Sequence, residues 1–107
     1  AGNGNINGPF VYTGFKPAWV LRKRTDQGTS STWLIHDSKR GVNTNAVRLR
    51  ADLHNAEDSG NEVDLLSNGF KIRETGGYGN ASGSPYIYMA FAENPFVTST
   101  GIPATAR

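Results

Sequence analysis

The sequence contains no cysteine and no long apolar run. Because none of its 107 residues is cysteine, neither disulfide bonds nor thiolate metal sites can stabilise the fold. No apolar run approaches the roughly 20 residues that a helix needs to cross a bilayer, and residues 1–8 do not resemble a signal peptide. We therefore predict a domain that does not insert into membranes and that is stabilised by packing and backbone pairing.

Catalytic motifs are scarce as well. The sequence has two histidines, His36 and His54, and neither a Gly-x-Ser-x-Gly elbow nor a His-Glu-x-x-His motif. His36 precedes Asp37, but serines and carboxylates are too frequent here to single out a triad, and a partly exposed histidine with a structural hydrogen bond is the alternative. Residues 2–5 and 76–79 are rich in glycine yet lack the Lys-Ser/Thr of a phosphate-binding loop. We predict no catalytic residues, no enzyme activity and no cofactor.

Charge is distributed unevenly along the chain. Residues 1–50 hold eight Lys or Arg against two acids, which gives +6, and residues 51–107 hold three against seven, which gives −4. The cations are scattered through predicted strands and are not clustered with interleaved aromatic residues, as in a nucleic-acid-binding surface. We predict that the two halves pair within one fold and that the protein binds no nucleic acid.

Length and composition favour one all-β domain. Thirteen glycines and ten asparagines interrupt nearly every segment, which suits tight turns and disfavours long helices. The interpretation is a β-sandwich or partly open barrel of short antiparallel strands with long loops. We assign residues 1–107 to this single domain, with residues 1–8 as a flexible N-terminal segment and residues 97–107 as an extended C-terminal tail.

Alternating apolar residues locate the strands. The second and third predicted strands should form a hairpin, with Gly28 in the connecting loop available for a left-handed conformation. Trp19, Phe70 and Phe91 are predicted core residues. The predicted strands cover residues 10–14, 18–24, 32–37, 63–66, 70–74 and 86–93.

Two segments are less regular. Residues 38–62 show no clear period, and we interpret them as a long connection with a brief extended piece near Val47–Leu49. The last strand is predicted to be a core strand in which Ile87, Met89 and Phe91 are buried. Its other side, which carries Tyr86 and Tyr88, could face a glycan, a neighbouring subunit or a second layer of the same core.

A group of acidic residues suggests a weak calcium candidate. Asp58, Asn61 and Asp64 offer oxygen ligands, but the alternating ligands and terminal glutamate of an EF-hand loop are absent. A solvated loop that balances the basic half is the preferred interpretation, so we predict no metal site.

The aromatic residues are better candidates for binding. Trp33, Tyr78, Tyr86 and Tyr88 could stack on sugar rings, whose apolar faces aromatic side chains cover while polar neighbours bind the hydroxyls. Tyr78 and Tyr86 flank a glycine-rich loop, where exposure is common.

Four segments carry a family resemblance. They are Asn7-Gly-Pro-Phe-Val-Tyr-Thr-Gly-Phe-Lys-Pro-Ala-Trp-Val-Leu-Arg-Lys-Arg24, Trp33-Leu-Ile-His-Asp37, Leu65-Leu-Ser-Asn-Gly-Phe-Lys-Ile-Arg73 and Tyr86-Ile-Tyr-Met-Ala-Phe-Ala-Glu-Asn-Pro-Phe96. In this order the chain resembles a module of uncharacterised tailed-phage proteins, of the kind abundant in marine phages. Such modules lie at the C-terminal ends of long proteins regarded as tail fibres or other virion appendages.

The resemblance implies a location on the virion and brings no catalytic residues. It implies a non-enzymatic appendage module that binds a host surface glycan or protein, that contacts other virion proteins and that forms a homotrimer. The alternative is a structural virion protein, such as a capsid decoration or an appendage assembly module, and a glycan-cleaving depolymerase is disfavoured. The residues that we would test first are Trp33, His36, Arg40, Tyr78, Tyr86 and Tyr88.

Overall fold

The computed structural model describes residues 1–41, 43, 45–60 and 62–94 of the chain. Within these residues the chain forms eight strands and one short 3-10 helix, Gly28–Ser30. No helix in these ranges has the length and apolar character that crossing a bilayer requires. The strands are β1 (Phe10–Tyr12), β2 (Pro17–Arg24), β3 (Leu34–Asp37), β4 (Ala46–Arg50), β5 (Asp58–Gly60), β6 (Val63–Leu66), β7 (Gly69–Ile72) and β8 (Tyr86–Ala92).

The strands form two antiparallel sheets. The large sheet has the order β5-β4-β3-β2-β8, and the small sheet has the order β1-β7-β6. The Phe70 ring of the small sheet meets the Tyr88 ring of the large sheet edge to face, with 5.3 Å between the centroids. The predicted all-β fold and its β-sandwich architecture are confirmed, and the alternative of a barrel is not.

Local sequence explains the central hairpin of the large sheet. β2 and β3 pair in the register Trp19 to Asp37 and Arg22 to Leu34, which confirms the predicted hairpin. Gly28 in the connection has a φ of 52°, as the left-handed position expected there requires.

The segment predicted as a long connection contains two strands. β4 covers the brief extended piece expected near Val47–Leu49, and β5 follows it through an antiparallel pairing of Arg48 with Asp58. In β4 apolar and charged residues alternate, and Arg48 and Arg50 lie on the same side of the strand as the buried Ala46. A pattern search that looks for an apolar inner side therefore detects β4 only as a brief extended piece, and it misses β5, whose three residues contain no apolar side chain.

The apolar core lies between the sheets and draws on both of them. Phe70 is 2% exposed, which confirms its predicted core position. Val11 and Ala90 pack against the cluster from the sheet margins. The cluster consists of Val20, Ala46, Val63, Leu65, Phe70 and Ile72.

The prediction that β8 is a core strand is wrong. In the described part of the chain β8 pairs only with β2 and lies at the edge of the large sheet. Ile87, Met89 and Phe91 are 49%, 53% and 57% exposed because they point away from the small sheet. Trp19 belongs to this outer side too, since its ring lies 5.4 Å from that of Phe91, so neither residue is in the core.

The N-terminal segment is joined to the fold by hydrogen bonds. The Asn3 amide donates to Oδ1 of Asn80 over 2.9 Å, and Nδ2 of Asn80 donates to the Asn5 carbonyl over 2.8 Å. Gly8 packs so closely that a Cβ atom would lie 2.6 Å from the Ile72 carbonyl oxygen. Residues 1–8, which we predicted to be flexible, thus contact the body of the domain, and the predicted tail at residues 97–107 lies outside the described residues.

Candidate functional site

Charged side chains occupy part of the space between the sheets. Arg22 points inward from β2 and is 3% exposed. Its guanidinium donates to Oε2 of Glu74 over 3.0 Å, to Oε2 of Glu62 over 3.3 Å and to the Gly79 carbonyl over 2.8 Å. Burial lowers the Arg22 pKa, and the nearby Glu74 opposes that shift. A buried cation is thus held between two carboxylates and a loop carbonyl.

His36 belongs to this charged cluster and not to a surface. The side chain is 0% exposed, and Nε2 lies 3.3 Å from Oε2 of Glu62 without hydrogen-bond geometry. Burial, followed by the positive charge of Arg22, lowers the His36 pKa to about 3, and Arg48 contributes in the same direction. The prediction of a partly exposed His36 is therefore wrong, and the imidazole is neutral at physiological pH.

A second group of ion pairs lies on β4 and β5. Arg48 donates to both carboxylate oxygens of Asp58, over 2.7 Å and 2.8 Å, and Arg50 donates to Asp58 over 3.0 Å. Arg48 also contacts Glu62. The hydrogen bond from Arg48 is the main reason why the Asp58 pKa is lowered to about 2. This group and the buried one share Glu62, so the two form one network.

The weak calcium candidate has no support in this arrangement. The Asp58 carboxylate is occupied by two arginines, and Asp64 lies 3.5 Å from Nε of Arg73. Asn61 lies outside the described residues. In the described ranges no three His, Cys, Asp or Glu side chains are grouped so that they could hold a metal ion.

Tyr78 lies at the surface between two depressions. Its side chain is 53% exposed on the loop between β7 and β8. One depression has a volume of about 380 Å³, and the other, with a volume of about 300 Å³, extends toward Arg48 and Arg73. We call the larger one the Tyr78 groove. Its lining consists of Thr29, Ser30, Thr32, Arg50, Asp52, Leu53, Asn55 and Tyr78.

The lining of the Tyr78 groove includes a carboxylate, Asp52, that is held by hydrogen bonds. Asp52 accepts hydrogen bonds from the Thr32 hydroxyl and, over 3.1 Å, from the Trp33 amide. The bond from Thr32 is the largest reason why the Asp52 pKa lies below its ordinary value. The groove therefore combines an exposed ring with an ionised acceptor, an amide, a guanidinium and hydroxyl groups.

Hydrogen bonds hold the loop that carries Tyr78. Asn80 is fully buried, and Nδ2 donates to the Glu74 carbonyl over 2.7 Å. Arg24 donates to the Gly77 carbonyl over 3.0 Å. At Gly79 a Cβ atom would overlap the Arg22 guanidinium, so only glycine fits there without displacement of that side chain. The ring is thus presented by a loop whose base is anchored in the charged network.

Tyr86 and Tyr88 are the predicted residues that the structure brings together. Both line a pocket of about 200 Å³ that opens between the sheets beside β8, where Arg22, Val11 and Phe70 also contribute to the wall. The Tyr86 hydroxyl accepts a hydrogen bond from the Ala81 amide over 2.8 Å. The pocket is mainly apolar.

The remaining two predicted residues lie elsewhere. Trp33 is partly buried, with Nζ of Lys23 5.5 Å from its ring centroid. Arg40 is exposed and pairs with Glu57 over 2.7 Å and with Asp37 over 2.9 Å. The six residues predicted from the sequence therefore do not form one surface.

Sequence reasoning missed the network and most of the Tyr78 groove. Arg22 shares the inward side of β2 with the buried Val20, and that alternation was the available signal. The segment without clear periodicity supplies Arg50, Asp52 and Asn55. No local sequence signal therefore placed them in the same groove as Tyr78.

These features define a class of protein, namely a small antiparallel β-sandwich with a charged network between its sheets and an aromatic residue on an anchored loop. The chain belongs to the family described as Domain of unknown function (DUF7483), whose model matches residues 1–95. No curated protein and no solved structure matches the chain. The family description names no activity, so the resemblance to phage appendage modules stays a prediction.

Proposed function

We propose that this chain is a non-enzymatic module of a phage virion appendage of the tail-fibre type, and that it binds a host surface glycan in the Tyr78 groove. The observation that carries the proposal is that the exposed Tyr78 lines one depression of about 380 Å³ together with Asp52, Asn55 and Arg50. The sequence resemblance supports the location on the virion.

The chemistry of the groove suits a sugar. A pyranose ring has an apolar face that a tyrosine ring can cover, and its hydroxyls need both donors and acceptors. Asp52 supplies an acceptor that hydrogen bonds from Thr32 and Trp33 already orient. Because hydrogen bonds already hold the Arg50 guanidinium and the Asp52 carboxylate, these two groups lose little freedom on binding.

The state of the charged side chains supports a binding role over an enzymatic one. His36 is buried, and its low pKa leaves no imidazolium form to act as a general acid near neutral pH. Glu62 and Glu74 pair with Arg22, so neither is a free general acid or base next to the groove.

A binding measurement tests this proposal. The full chain is applied to an array of purified bacterial lipopolysaccharides and capsular polysaccharides, and Tyr78→Ala is compared with Tyr12→Ala. Tyr12 is 69% exposed on β1 and therefore serves as the matched control. We expect Tyr78→Ala to weaken binding by about tenfold or more and the control to bind normally. Equal binding by both variants, or no binding by the native chain, contradicts the proposal.

A second candidate, an assembly module that contacts only other virion proteins, is favoured by a different observation. The outward side of the large sheet carries apolar side chains, which we call the outer apolar face, and apolar patches of this kind often mark protein contacts. Other virion subunits, or further copies in the homotrimer that the resemblance implies, are the partners we propose. The face consists of Trp19, Leu21, Ile35, Val47, Leu49, Ile87, Met89 and Phe91.

The mass of the native chain in solution tests self-association. Light scattering over a range of concentrations should give three copies if the homotrimer forms. A single copy at every concentration contradicts self-association and leaves other virion proteins as the partners of this candidate.

A further inference from the structure

Among the described residues, β8 is an edge strand that lacks the usual protection against strand addition. It is seven residues long, and within it there is neither a charged residue nor a proline. Such residues are the usual means by which natural proteins prevent strand addition at a sheet edge. Every second residue of an edge strand directs its N–H and C=O groups away from its own sheet, where another strand can bind them.

The other edges in the described ranges differ from β8. At the opposite edge of the large sheet β5 has three residues, and one of them is the ion-paired Asp58. In the small sheet β1 has three residues and follows Pro9, and β6 contains Asp64. Length and lack of charge therefore distinguish β8 as the edge suited to pairing.

The sequence of β8 complements itself about its central residue. When two copies of β8 are laid antiparallel with Met89 opposite Met89, each inward tyrosine faces an alanine: Tyr86 meets Ala92, and Tyr88 meets Ala90 of the second copy. On the outward side Ile87 meets Phe91. Large residues thus oppose small ones beside the inter-sheet pocket, apolar residues oppose each other outside, and no like charges meet.

We propose that two copies of this chain associate by antiparallel pairing of their β8 strands, with Met89 at the twofold axis, to join their large sheets into one. A contact of this kind uses the same surface on both copies and closes at two copies. It goes beyond the glycan contact at Tyr78 and does not depend on it. It replaces the three copies that the phage resemblance implies with two.

The pairing predicts which positions can be cross-linked. Directly opposite residues in an antiparallel pair have Cα atoms about 5 Å apart, which lies within the range of a disulfide bond. A cysteine at position 89 faces its own counterpart. A cysteine at position 91 is four residues out of register with its counterpart, about 14 Å away at about 3.4 Å per residue.

Single-cysteine variants test the proposal without competing thiols, because the native chain has no cysteine. Met89→Cys and Phe91→Cys are matched, since the two native side chains lie on the same face of β8 and are 53% and 57% exposed. Both full-length variants are treated with diamide at equal concentration after circular dichroism has shown that they are folded. We expect a disulfide-linked dimer that forms at least about tenfold faster for Met89→Cys.

A mixed sample adds a positive control. Ile87→Cys and Phe91→Cys should form the mixed disulfide more readily than either forms a disulfide with itself. Equal rates for Met89→Cys and Phe91→Cys, or no dimer from Met89→Cys, overturn the pairing. A native mass of three copies also overturns it, whereas loss of glycan binding by Tyr78→Ala has no bearing on it.

Discussion

Alternate residues of β2 lie in two different environments. Val20 and Arg22 point between the sheets, where apolar packing and a buried ion-pair network adjoin each other, whereas Trp19 and Leu21 point outward to a face made of apolar side chains. In a typical sandwich the inward side of a sheet is the apolar one and the outward side is polar. The large sheet thus depends on charged contacts inside and offers an apolar surface outside.

This difference separates the side of the sheet on which we place the stability of the fold from the side on which we propose association. Buried charges are costly to remove singly because their partners stay behind unpaired. Ile87, Met89 and Phe91 on the outer side are about half exposed, and exposed apolar patches often mark contacts with other proteins. The following predictions test this division of roles.

The largest effect is expected at Arg22. Its replacement by methionine fills a similar volume but leaves the partly buried Glu74 without its cation and Glu62 with Arg48 alone. We expect a loss of about 3 kcal/mol in the free energy of unfolding. Urea denaturation measures it. Arg24→Met, on the same side of β2 with an exposed ion pair to Asp26, is the matched control and should change stability far less. If the two variants are equally stable, the buried network is not what stabilises the inner side.

An intermediate effect is expected from pH. The unfolded chain protonates His36 near pH 6.5, whereas the folded chain keeps it neutral down to about pH 3. Because the unfolded state binds the extra proton, the contribution of His36 to the free energy of unfolding is fully present above pH 6.5 and decreases as the pH falls toward 3. Protonation of His36 in the unfolded state should lower the free energy of unfolding by about 2 kcal/mol between pH 6.5 and pH 5.

Two matched histidine variants isolate this contribution. His36→Gln should reduce the pH dependence of thermal unfolding in that window, and the same replacement at the exposed His54 should leave it unchanged. An identical pH dependence in all three proteins would show that His36 titrates normally in the folded state.

The smallest effect is expected on the outer apolar face. Ile87→Thr keeps a β-branched side chain at a position that is 49% exposed, so the free energy of unfolding should change by no more than about 0.5 kcal/mol. The same substitution at Ile72, which is 6% exposed, should cost about 2 kcal/mol or more because it buries a hydroxyl group. A similar loss at both positions would mean that the outer face also stabilises the monomer.

The sequence allowed the strands with ordinary patterns to be predicted. Phe70 and Ile72 alternate with Lys71 and form β7, and the hairpin around Gly28 follows from two alternating runs on either side of a turn-forming loop. The exposure of Tyr78 also agrees with its position in a glycine-rich loop.

The orientation of the large sheet could not be predicted in this way. Alternation separates Trp19 from Val20 but does not reveal which of the two sides another layer covers. Hydrophobicity favoured the side of Trp19 and Phe91, whereas the structure buries the side of Arg22 and His36, whose charges are compensated by residues distant in sequence. Those long-range partners, and likewise the approach of Asp52 to Tyr78, arise only when both sheets are in place.

Gly79 has a consequence for how this module can diverge. Its neighbour Tyr78 is exposed, so replacement there should leave the framework intact, while a side chain at position 79 would displace the Arg22 guanidinium and the Glu74 carboxylate from their ion pair. Tolerance to mutation should therefore change abruptly between two adjacent positions. We therefore expect relatives to differ at position 78 more often than at position 79.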